Sequence, residues 1–142
     1  MKKFLVSLVL GSCAIASAWA GEKYPVEIVP QPNQEWRFQR LMAYSADNDT
    51  KVSGRLTSNL PIGLPRGHVD VAAYTKSGEL IAETTTDYAP ALLTHRMKKK
   101  GGVRFSATFE KPLPSDAMVK VAFHRDLPST KVNPSHSGNI AK

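Results

Sequence analysis

Four histidines, His68, His95, His124 and His136, are the side chains of this sequence best able to hold a metal or move a proton. His95-Arg96-Met97 sets an imidazole and a thioether two residues apart, and in an extended segment both would project to the same side. That donor pair suits copper, above all Cu(I). His68 and Asp70, and likewise Met118 and His124, fall on the outward positions of two predicted strands. They add ligands only where those strands are neighbours. The metal-ligand candidates are therefore His95, Met97, His68 and His124; no cofactor is the expectation, and copper is the alternative. A His-x-Met pair is less specific than Cys-x-x-Cys or His-Glu-x-x-His, and isolated surface histidines are common. His136 stands in a polar tail and is read as incidental.

Arg96, Lys98, Lys99, Lys100 and Arg104 gather five positive charges within nine residues beside Gly101 and Gly102. Such a cluster can grip an anionic surface, and salt would weaken the attachment. Its ordinary reading is a solvated loop whose charges discourage edge-to-edge strand pairing. No aromatic platform is interleaved with it, which argues against nucleic acid as a partner. The Ser, His and Asp residues are scattered, with no strand-to-helix nucleophile turn, so catalysis is not expected.

The elements that must position these groups are short and extended. Val103, Phe105, Ala107 and Phe109 alternate with Arg104, Ser106 and Thr108. In the last strand Val119, Val121 and Phe123 alternate with Lys120, Ala122 and His124. His68 to Tyr74 places Val69, Val71 and Ala73 on one face, and Lys76-Ser77-Gly78-Glu79 turns the chain into a returning strand, Leu80 to Thr86. Val52 to Thr57 reads as a strand, and Tyr24 to Val29 as another, with Val26 and Ile28 on one face. Glu35 to Tyr44 also reads as a strand, with Trp36, Phe38, Met42 and Tyr44 on one side, although Phe38, Leu41 and Met42 would suit a helix face. Ala91 to Met97 is open between a short strand and a helical turn. Strands bounded by turn residues, without a long helix, predict an all-β fold: an antiparallel β-sandwich of about seven strands.

Val52-Ser53-Gly54-Arg55-Leu56-Thr57, Gly63-Leu64-Pro65-Arg66-Gly67-His68-Val69-Asp70-Val71 and the stretch from Gly78 to Asp87 resemble bacterial immunoglobulin-like modules. The similarity is to the transthyretin-like, carboxypeptidase-regulatory type and to the FxLYD type, and the region involved is about half the chain. The resemblance implies an immunoglobulin-like sandwich that acts as a structural or binding unit. Tyr88-Ala89-Pro90 stands where the first group has a glycine and an aromatic, and the aromatic-Leu-Tyr-Asp signature of the second is absent.

Residues 1–20 combine Lys2-Lys3, an apolar run from Phe4 to Leu10 and Ala18-Trp19-Ala20, the plan of a secretory signal peptide cut after Ala20. Gly11, Ser12 and Ser17 interrupt a stretch too short to span a bilayer, so no transmembrane segment is expected in the processed chain. Cys13, the one cysteine of the sequence, lies in a loose lipobox, Leu10-Gly11-Ser12-Cys13, and lipid anchoring is the alternative fate. Residues 21–126 suit one domain, and residues 127–142 read as a disordered tail. Without Lys2 and Lys3, the 19 basic residues become 17 against 12 acidic ones, a formal charge of +5. The chain is thus expected to be a periplasmic or secreted, monomeric, non-catalytic module that binds an envelope protein or an anionic envelope surface. The alternative is a periplasmic copper-binding protein using His and Met ligands.

Overall fold

The computed structural model describes residues 21–30, 35–61, 63–64, 66–88 and 93–125. The expected leader at 1–20, with Cys13, lies outside the described residues, as do the tail at 127–142 with His136, and Ala91 and Leu92. Two four-stranded sheets pack face to face. One has the order β1 (Lys23–Tyr24), β3 (Trp36–Ala46), β4 (Asp49–Ser58), β7 (Val103–Phe109). The other runs β2 (Val26–Ile28), β8 (Met118–Arg125), β5 (Gly67–Tyr74), β6 (Leu80–Thr86). The expected all-β sandwich is therefore what the chain forms.

Alternation is the cause. Val52 and Leu56 of β4, Val103, Phe105 and Phe109 of β7, Val69 and Val71 of β5, and Val119, Val121 and Phe123 of β8 meet in one buried cluster. Trp36 closes one end of it, its ring 4.6 Å from that of Phe123. Each large side chain removed from water there contributes about 1.5–3 kcal/mol. The hairpin at Gly78 forms as expected, with that glycine at φ 92°.

Three features depart from simple alternation. The first strand is split at Pro25, so that β1 pairs with β3 while β2 pairs in parallel with β8. Proline has no N–H to give a ladder, but its carbonyl accepts from Val119 N at 3.0 Å and marks the change of sheet. Ile28, expected to be buried with Val26, stands 40% exposed on this edge strand. In β3, which is a strand and not a helix, the pairing with β4 shifts between Gln39 and Met42. Arg40 there has φ 53°. The extra residue reverses the parity, so Trp36 and Phe38 point inward before the bulge and Ala43 after it, leaving Met42 55% exposed.

The third feature is a single helical turn, α1 (His95–Lys99), in the segment left open between strand and helix. Thr94 caps it by accepting from Met97 N, and Gly101 and Gly102 end it at φ 93° and 98°. Gly102 N returns to Met97 O at 2.9 Å, a closing bond that requires a left-handed residue. A side chain at Gly102 would also collide with the Leu56 carbonyl.

Two buried tyrosines make the packing testable. Tyr24 donates to the Leu113 carbonyl at 3.0 Å, whereas the buried Tyr74 hydroxyl makes no hydrogen bond among the described residues. Burial is the main cause that raises the pKa of both, aided by Glu22 at Tyr24 and by Glu83 at Tyr74, while hydrogen bonds to Tyr24 act in the opposite direction. The unfolded chain therefore ionises these phenols first, at the ordinary value of 10.0. Stability is held below that pH and falls as pH rises through it toward the folded values. In urea denaturation at neutral pH, Tyr24→Phe is expected to cost about 1 kcal/mol and Tyr74→Phe nothing or less than nothing. Repeated at alkaline pH, the same measurement should find both variants losing less stability than the parent chain.

Candidate metal centre

Strands β5 and β8 are the two inner strands of their sheet, and their antiparallel register sets His68 directly opposite His124 and Asp70 opposite Ala122. All three polar side chains share the face turned away from the inter-sheet core, because Val69 and Phe123, the alternate residues, lie inside it. On that same face Val29, Ala72, Tyr74 and Ala122 form a second, small apolar cluster. The polar group is thus carried by a rigid part of the sheet and bordered by packed side chains.

The Asp70 carboxylate sits between the two imidazoles. Its Oδ1 is 3.1 Å from His68 Nε2, and its Oδ2 is 3.5 Å from His124 Nδ1. The rings lie 4.7 Å apart, inclined at 64°. One ligand atom from each residue falls within 4.8 Å of the others. Metal–nitrogen and metal–oxygen bonds of about 2.0–2.2 Å in a tetrahedron put ligand atoms about 3.3–3.6 Å apart. The two nitrogen–oxygen separations, to different oxygens of the Asp70 carboxylate, are close to that spacing, so small side-chain shifts would close the three ligands around one ion. Asp70 is fully buried, His124 nearly so, and the His68 side chain, at 18% exposure, is the most accessible of the three. The arrangement can share protons between a carboxylate and imidazoles, or hold a divalent cation.

Of the residues singled out in the sequence, His68 and His124 are brought together and His95 and Met97 are not with them. In α1 a spacing of two residues points side chains to different sides. His95 is exposed, and Met97 packs against the core between the sheets. The β8 backbone with its inward face therefore stands between that thioether and the His68–His124 face. Met118 shares the face but pairs with Tyr74 at the far end of β5, six residues, or about 20 Å, from His124. The ligand that sequence reasoning underweighted is Asp70. It follows His68 by two residues, and a carboxylate within a run of Val and Ala is the signal that could have found it.

The basic cluster has partly structural duties. Arg96, Lys98 and Lys99 occupy the last turn of α1, where cations meet the negative end of the helix. Lys98 Nζ donates to the Leu60 carbonyl at 2.6 Å. Arg104 stands on β7, directly across from Arg55. Among the described residues no helix is long and apolar enough to cross a membrane. Compared with protein-family models, with curated proteins and with solved structures, the chain finds no match.

Removing one imidazole leaves the buried carboxylate with poorer company. His124→Ala is expected to lower the unfolding free energy by about 2–4 kcal/mol. His95→Ala, at an exposed position, should stay within about 0.5 kcal/mol of the parent in the same denaturant titration.

Proposed function

We propose that this protein is an exported, non-catalytic β-sandwich that holds one divalent transition-metal ion through His68, Asp70 and His124. The observation that carries the reading is the buried carboxylate of Asp70 within 3.1 Å and 3.5 Å of two imidazole nitrogens on neighbouring strands. Two imidazoles with one carboxylate favour Zn(II) or Cu(II), since the thioether that would select Cu(I) lies elsewhere. Three protein ligands leave room for a water or a further donor on the accessible side of His68. Export rests on the leader-like residues 1–20, and the periplasm of a bacterium is the compartment that fits them. Kinship with immunoglobulin-like binding modules is part of the same reading and rests on the glycine and strand pattern between Val52 and Asp87.

The test is metal retention by the processed chain. After exposure to Zn(II) or Cu(II) and desalting, about one equivalent should remain on the parent protein and on a His95→Ala/Met97→Leu variant. Asp70→Asn and His68→Ala should retain almost none. Free metal at about 100 times its dissociation constant should stabilise the parent by about 2.7 kcal/mol in thermal unfolding. Retention of no metal, or its loss through the α1 substitutions alone, would sink the reading.

A further inference from the structure

On the outer face of the β1-β3-β4-β7 sheet lies an open groove of about 610 Å³, within the range of small-molecule sites. We infer that it is a binding site for a phosphate-bearing small molecule, held by Arg40, Arg55 and Arg104. The register builds it. Ser53 pairs with Ser106 and Arg55 with Arg104, so two hydroxyls and two guanidiniums stand in adjacent rows on one face. Arg40 enters from the β3 bulge, and all five residues line the groove.

Two unfavourable features coincide at this place. Like charges directly opposite one another oppose strand pairing, yet Arg55 and Arg104 are paired in register. Arg40 is held at φ 53°, a region that side chains other than glycine, asparagine and aspartate seldom adopt. Backbone outliers of this kind cluster at binding sites. Arg55 is anchored by a 2.9 Å bond from Nη1 to the Gly102 carbonyl. The side chains of Arg40 and Arg104 make no hydrogen bond or ion pair among the described residues.

Charge and chemistry select the ligand. The lining carries three guanidiniums against one carboxylate, Asp87. Guanidiniums recognise phosphate oxygens in pairs of parallel bonds, and serine hydroxyls complete the donor set. The exposed Met42 supplies an apolar wall for the unphosphorylated part of the molecule. A concave site suits a soluble phosphate ester better than the flat surface of a bilayer.

The test is calorimetric titration of the processed protein with pyrophosphate at low ionic strength. Binding is expected to weaken at least tenfold in Arg104→Gln and in Arg40→Gly. Thermal midpoints of both variants should equal or exceed that of the parent, because a like-charge pair or a strained residue has been removed. Absence of pyrophosphate binding by the parent would overturn the assignment, as would an affinity in either variant equal to the parent's. Binding to phosphatidylglycerol vesicles that is unchanged by Arg40→Gly and Arg104→Gln, with none to pyrophosphate, would assign the attraction to net charge instead and overturn it too.

Discussion

The register between β5 and β8 is the constraint on which the rest of this molecule depends. A slip of β5 by one residue against β8 would turn Val69, Val71 and Ala73 out of the core and send Asp70 into it. The cost of that exchange, several buried apolar side chains lost and a charge placed among hydrocarbon, is what fixes the pairing. The same register makes His68 face His124. The polar centre is therefore specified by the dry face of the sheet, through residues that never touch it.

Much of this was legible in the sequence because one physical effect dominates where strands are half wet. The β7 pattern, with Val103, Phe105, Ala107 and Phe109 buried and the residues between them exposed, is what a strand with one solvated face must show. The Gly78 hairpin was equally readable, since its positive φ needs that residue. Illegible features were those decided by pairing. Nothing in Gln39-Arg40-Leu41-Met42 announces a bulge, and without it Met42 counts as core. Pro25 tells of an interruption but not that the chain changes partners there. For the candidate centre, residue types revealed two imidazoles, His68 and His124, and also suggested His95 and Met97. Only strand order could decide between those pairs, and strand order is a property of the whole chain.

The two faces of the sandwich are used differently. On the β2-β8-β5-β6 sheet, Asp70 and His124 are buried on the face away from the core between the sheets, the face that also carries Ala72 and Ala122. On the opposite sheet, cations are spread over an open surface where water screens them. A formal net charge of +7 for the whole sequence describes neither arrangement. What matters is which strand rows the charges occupy.

The split of the first strand at Pro25 has a temporal side. Residues 26–28 find their partner in residues 119–121, more than ninety positions later in the chain. A polypeptide that emerges amino end first therefore holds β2 without its partner until residues 119–121 have followed. Sheets closed by such distant pairings assemble slowly. The sheet of β1, β3, β4 and β7 can pair before β8 is present, so the two layers of the sandwich need not close at the same moment.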